Sequence, residues 1–85
     1  NMTKEREIEI LMKDRCTKQE AEKFLKNGTT IFDDLEENLD DYFEEWNVDE
    51  EEKEIYRKMV SEKVPATDWG IVECDGKTYY IMYAL

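Results

Sequence analysis

Carboxylates are the side chains through which this chain could do chemistry. Its 85 residues include 23 Asp and Glu against 12 Lys and Arg, with no histidine and a formal net charge of −11. Residues 33–54 hold 13 acids and 1 base, whereas residues 1–32 carry net +1 and residues 55–85 carry no net charge. Such a block repels nucleic acid and anionic membranes, and it attracts cations and basic protein surfaces. We therefore expect neither direct nucleic-acid binding nor membrane binding.

The sequence lacks the residues that usually build a catalytic centre. Histidine, the commonest general base, is absent, and the single serine, Ser61, has no base partner. Gly28, Gly70 and Gly76 are isolated and fit caps or turns, so they form no glycine-rich phosphate loop. Two carboxylates can hydrolyse a glycoside only where burial raises the pKa of one of them, and an exposed helix face does not supply that burial. We predict that the protein is not an enzyme.

Metal and cofactor sites are not expected either. The acidic run over residues 49–54 lacks the D-x-[DN]-x-[DN]-G spacing of an EF-hand loop, and a di-iron motif needs histidine. Cys16 and Cys74 form no CxxC pair, so we expect two reduced thiols, with a bridge between them as the alternative. The charged N-terminal sequence and the lack of any apolar run near ~20 residues predict a cytoplasmic protein.

The acidic block coincides with the strongest helical period in the chain. Apolar residues three and four apart predict a helix over residues 31–46. Acid pairs fill the opposite face and create five like-charged i,i+4 pairs, which together cost about 1–2.5 kcal/mol at low salt. The candidate partner-binding residues are Asp33, Asp34, Glu36, Glu37, Asp40, Asp41, Glu44 and Glu45, joined by Asp49, Glu50 and Glu51 at the start of the next helix.

This acidic face has two interpretations. It is either a solvated face that keeps the protein in solution or a ligand for a basic surface of another protein. An ordinary surface helix mixes both signs of charge, because opposite-sign pairs add stability. Carboxylates one turn apart are separated by ~6 Å along the axis, close to two phosphate steps of ~3.4 Å on one DNA strand. The leading hypothesis is therefore a non-catalytic interaction protein that occupies the basic surface of a nucleic-acid-binding protein.

Further helices and a hairpin complete the predicted fold. The apolar spacing predicts three more helices, over residues 4–15, 17–27 and 50–63. Thr17 and Glu20 form a capping box at the start of the second of these. Near the C-terminus the period changes to two, and Asp75-Gly76 predicts a tight hairpin over residues 69–83. We predict one α+β domain over residues 1–85, with four short helices followed by a two-stranded antiparallel β-hairpin.

The hairpin is apolar on both faces, which supports a second hypothesis. A two-residue turn pairs Cys74 with Lys77, and it leaves the face that carries Val72, Ile81 and Tyr83 for the helical core. The opposite face is a candidate interface for a homodimer or another partner, and it consists of Trp69, Ile71, Tyr80 and Met82. The last strand would leave an open edge for strand addition. The alternative is that the helices cover both faces.

Two resemblances accompany these patterns. The acidic block and the string from Asp68 to Tyr83 make the chain similar to small acidic proteins of bacterial phages and conjugative elements. Some of those proteins are DNA mimics that block restriction or CRISPR nucleases, so the resemblance implies an inhibitor that binds a nuclease. Residues 8–35 also resemble a three-helix UBA unit, through Leu11, Thr17-x-x-Glu20-Ala21, Phe24-Leu25 and Asn27-Gly28. The glycine-containing apolar loop of UBA modules is replaced by Asp14-Arg15-Cys16, and no UBA binding residues are carried over.

Overall fold

Four helices and three strands make up the protein in a computed structural model that describes residues 2–85. In chain order they are α1 (Lys4–Lys13), α2 (Lys18–Lys26), β1 (Thr30–Phe32), α3 (Leu35–Trp46), α4 (Glu50–Glu62), β2 (Trp69–Cys74) and β3 (Lys77–Met82). The predicted α+β class is confirmed. The sheet has three strands rather than the two of the predicted hairpin.

Local sequence signals set the helix starts and the hairpin. The Thr17 hydroxyl accepts from the Glu20 amide at 3.1 Å, and the Glu20 carboxylate accepts from the Thr17 amide at 2.8 Å, so the capping box is present as predicted. Asp75 and Gly76 both take positive φ, which suits the tight turn between β2 and β3. Cys74 faces Lys77 across this turn, as the two-residue loop predicted.

The predicted helix over residues 31–46 is wrong at its start. Ile31 and Phe32 belong to β1, which pairs antiparallel with β3, and α3 begins only at Leu35. Because adjacent strand residues point to opposite faces, Ile31 and Phe32 reach different sides of the sheet, and both sides are apolar. The strand order is β1-β3-β2, so β3 is central. The open edge predicted for the last strand is therefore occupied by β1.

The sheet lies between two helix pairs. One face packs on α1 and α2 through a cluster of Ile10, Leu11, Ala21, Val72, Cys74, Tyr79 and Ile81. The other face carries a second cluster of Phe32, Leu35, Met59, Trp69 and Tyr80, supplied partly by α3 and α4. Each face of the hairpin is thus covered by helices, which explains why both are apolar.

Two expectations are corrected by this layering. Residues 8–35 form parts of two helices and a strand, so the three-helix unit implied by the UBA resemblance is not formed. The proposed hairpin interface is largely internal, because Trp69 is 8% exposed and Tyr80 is 1% exposed. Ile71 and Met82 are half-buried against the same cluster. Within residues 2–85, no helix combines the length and the apolar character needed to cross a bilayer.

Candidate functional site

The predicted acidic residues lie just before α3, along α3 and at the start of α4. Ten of the eleven are exposed, and Asp34 is half-buried. We call the following set the acidic surface: Glu37, Asp40, Asp41, Glu44 and Glu45 on α3, with Asp49, Glu50 and Glu51 at the start of α4. The turn between α3 and α4 joins the two parts, because Asn47 adopts a left-handed conformation that ends α3. The acidic surface leaves out three predicted residues whose carboxylates contact groups within the fold: Asp33, Asp34 and Glu36.

A kink divides the acidic face of α3. Asn38 has φ −121° and ψ 17°, so its backbone is not helical and the regular stretch begins after it. Of the five predicted like-charged pairs, only 40/44 and 41/45 lie wholly within that stretch. Their combined cost is about 0.4–1 kcal/mol, less than the sequence predicted for five pairs. The acids of residues 33–45 therefore do not form one regular row along a single straight helix.

Asp34 contacts the side chains around the kink. Its carboxylate accepts a hydrogen bond from the Tyr42 hydroxyl at 3.0 Å and another from the Asn38 side-chain amide at 3.2 Å. Burial, followed by the hydrogen bond to Asp34, raises the pKa of Tyr42, so the hydroxyl stays a donor at neutral pH. Asp34 is therefore a structural residue of α3 rather than part of the acidic surface.

Glu36 and Asp33 also have partners inside the fold. The Glu36 carboxylate accepts from the Tyr80 hydroxyl at 3.0 Å and lies 3.4 Å from the Lys63 ammonium. Asp33 lies 3.8 Å from the Lys77 ammonium on β3. Burial first, and then the bond to Glu36, raises the pKa of Tyr80 well above its usual range. These contacts join α3 to the sheet and partly neutralise the acids at its start.

The remaining acids of α3 have no such compensation. In the part of the chain that the structure describes, Glu37, Asp40, Asp41, Glu44 and Glu45 make no ion pair. Three of them border a groove between α3 and α4 whose far side carries Lys53 and Arg57. Those two bases are already engaged, Lys53 with Glu50 at 3.1 Å and Arg57 with Glu54 at 3.0 Å. The α3 part of the acidic surface therefore presents unneutralised carboxylates to solvent.

A second polar cluster, which sequence reasoning missed, joins the α1–α2 turn to the end of the sheet. The Tyr83 hydroxyl donates a short hydrogen bond to Asp14 and lies 3.8 Å from the Cys16 sulfur. Burial raises the pKa of Tyr83, and the bond to Asp14 raises it further. Burial also raises the pKa of the Cys16 thiol, which makes it a weak nucleophile at neutral pH. A side chain at Gly70 would collide with the Asp14 carboxylate, which accounts for the glycine.

The cysteines and acids assemble no further site in residues 2–85. Cys16 and Cys74 are both free thiols, Cys16 half-buried and Cys74 buried. Among those residues, no three Asp, Glu or Cys side chains converge in a way that could hold a metal ion.

Comparison of the chain with protein-family models, with curated proteins and with solved structures found no match.

Proposed function

We propose that this protein is a non-catalytic interaction protein whose acidic surface occupies a basic surface on another protein. The observation that carries the proposal is the set of five exposed carboxylates on α3 that have no ion-pair partner within residues 2–85. A purely solubilising surface gains by mixing both signs of charge, whereas this one has no base between residues 33 and 52.

The chemistry of the surface favours a nucleic-acid-binding protein as the partner. Such proteins present lysine and arginine side chains to a phosphate backbone and release counterions when they bind it. A dense carboxylate surface obtains the same attraction and the same counterion release from them. The kink at Asn38 restricts the regular part of the row to about two turns of α3, so we propose a short contact rather than a long groove. The similarity to small acidic proteins of phages and conjugative elements fits this type of partner.

The alternative function, self-association through the hairpin, has less support. Trp69 and Tyr80, two of the four residues assigned to that interface, pack against α3 and α4 within the chain. Exposing them would require the helical layer to separate from the sheet.

The experiment is a capture of binding proteins from cell extract on the immobilised parent protein and on two variants. One variant reverses charge on the acidic surface, with Asp40→Lys, Asp41→Lys, Glu44→Lys and Glu45→Lys. The matched control reverses four exposed acids elsewhere, with Glu5→Lys, Glu9→Lys, Glu22→Lys and Glu62→Lys. Each replacement adds two positive charges, so both variants have a formal net charge of −3.

We expect the control to retain a basic partner that the acidic-surface variant loses, with circular dichroism showing that both remain folded. A partner that binds the acidic-surface variant as tightly as the parent would refute the proposal. Equal loss from both variants would show that net charge alone matters, and it would refute the assignment to this surface.

A further inference from the structure

The outer edge of β2 carries main-chain groups without partners. Cys74 and Lys77 are partners beside the two-residue turn, which makes them a hydrogen-bonded pair. The N–H and C=O groups of Cys74, Val72 and Gly70 therefore face β3, and those of the residues between them face away from it. The residues whose main-chain groups face away from β3 are Trp69, Ile71 and Glu73. The Trp69 amide donates to the Ala66 carbonyl at 3.2 Å. The amides of Ile71 and Glu73 point away from β3 by this alternation, and within residues 2–85 they have no backbone acceptor outside the sheet.

Apart from the charge of Glu73, this edge lacks the usual features that prevent strand addition. Native edge strands are commonly short, bulged, or marked by proline or lysine. The opposite edge, β1, is only three residues long. β2 has six residues in an unbroken register with β3 and contains neither proline nor lysine. Ile71 is half-buried and Glu73 is exposed.

Acidic side chains border the edge: Asp14, Asp68, Glu73 and Asp75. The Asp14 carboxylate lies against Gly70 on one face of β2, and Glu73 lies on the other face. Two of these acids have an ion pair, since Arg6 lies 2.9 Å from Asp75 and Lys63 lies 3.7 Å from Glu73, whereas Asp14 and Asp68 form none within residues 2–85. A strand added here would meet a net negative environment along its length.

This charge argues against a second copy of the chain as the occupant. Antiparallel pairing of two β2 strands extends the sheet about a two-fold axis perpendicular to it. That axis places both α3–α4 layers on the same side of the joint sheet, so two blocks of net charge −12, each over residues 33–54, would lie side by side. A segment that carries lysine or arginine meets attraction instead.

We propose that the β2 edge binds an extended, lysine- or arginine-bearing segment of a partner protein as a fourth strand. The amides and carbonyls of Ile71 and Glu73 pair with its main chain, while Asp14 and Glu73 attract its basic side chains on the two faces. This contact does not depend on the acidic surface of α3, which lies on other elements.

Amide hydrogen exchange followed by NMR tests the proposal on the full chain. In the free protein, the amides of Ile71 and Glu73 should exchange fast and those of Val72 and Tyr79 slowly. A short peptide of alternating lysine and valine should slow exchange at Ile71 and Glu73 by about tenfold or more. A peptide of alternating glutamate and valine should leave exchange at Ile71 and Glu73 unchanged. Unchanged exchange at high concentrations of the basic peptide would overturn the proposal, as would equal protection by both peptides. Protection that rises with protein concentration in the absence of peptide would also overturn it, by assigning the edge to a second copy.

Variants separate main-chain pairing from general charge attraction. Ile71→Pro removes an outward amide that the sheet does not use, and it should weaken basic-peptide binding about tenfold relative to Ile71→Ala. Glu73→Lys should weaken binding, whereas Glu22→Lys, with the same charge change on α2, should not. If Ile71→Pro does not fold, the comparison of Glu73→Lys with Glu22→Lys tests the proposal instead. Equal peptide binding by these two variants would overturn the assignment of the site to the β2 edge. The variant reversed at residues 40, 41, 44 and 45 should bind the peptide like the parent, which distinguishes this proposal from the function proposed for α3.

Discussion

Replacing Glu44 and Glu45 with lysine should stabilise the fold while removing part of the acidic surface. In the parent, both residues form like-charged i,i+4 pairs, with Asp40 and Asp41, and lie in the last turn of α3, which contains no base. Each pair changes from a cost of about 0.2–0.5 kcal/mol to a gain of similar size, so the two pairs together yield about 0.8–2 kcal/mol. Cations at the negative end of the helix dipole add about 0.3 kcal/mol or more each. The expected total is about 1.4–3 kcal/mol.

Thermal and urea unfolding measure this change directly. For a domain of this size, 1 kcal/mol corresponds to a shift of about 4–8 °C in Tm, so the variant should melt at least about 5 °C above the parent at low salt. The gain should shrink as salt rises, because these charges are exposed and screened.

A matched control separates local electrostatics from a lower net charge. Glu50→Lys with Glu51→Lys adds the same charge, but it places cations in the first turn of α4 and breaks the 3.1 Å pair between Glu50 and Lys53. Cations are unfavourable at that end of a helix, so this control should be less stable than the parent. If both variants gain stability equally, net charge is the cause and the pairwise reasoning is wrong. If the variant with lysine at 44 and 45 loses stability, the helix-end argument is also wrong.

Three further predictions concern Tyr80, Gly70 and Cys16. Tyr80→Phe should cost about 1–3 kcal/mol in urea unfolding, because its hydroxyl bonds the Glu36 carboxylate at 3.0 Å. Since folding raises the pKa of Tyr80 above its usual value of 10.0, its contribution is complete below about pH 10 and declines as pH rises above that, so the parent should lose stability in alkali and Tyr80→Phe should lose less of it. A decline of equal size in both proteins would contradict this origin. Gly70→Ala should destabilise the fold by about 1–3 kcal/mol through collision with Asp14, whereas an unchanged Tm would show that Asp14 moves freely. Cys16 should react with a disulfide reagent more slowly at pH 8 than a free cysteine peptide does, because burial raises its thiol pKa, and an equal rate would refute that burial.

The features that the sequence predicted correctly depend on neighbours along the chain. Thr17 and Glu20 are three residues apart, and Asp75-Gly76 is a turn complete in itself, so the capping box and the hairpin register needed no tertiary information. The exposure of the α3 acids followed from the apolar stripe on the opposite face.

The features that it missed depend on distant partners. Ile31 and Phe32 fit the helical stripe as well as a strand, and only pairing with residues 80–82 decides for the strand. The same uncertainty affected the hairpin faces, because two apolar faces indicate either an interface or two helical layers. The kink at Asn38 was closer to being predictable. Asp34, Asn38 and Tyr42 are spaced by four, and their polar side chains can compete with regular helical hydrogen bonding.

Competition with DNA tests the central claim most directly. A nucleic-acid-binding protein captured by the parent chain is loaded with labelled duplex DNA, and this chain is titrated in at several salt concentrations. If the acidic surface occupies the DNA-binding surface, the parent displaces the DNA, its affinity falls steeply as salt rises, and the variant reversed at residues 40, 41, 44 and 45 displaces none. A ternary complex that holds both the DNA and the parent chain, or a parent affinity that does not change with salt, would contradict the account.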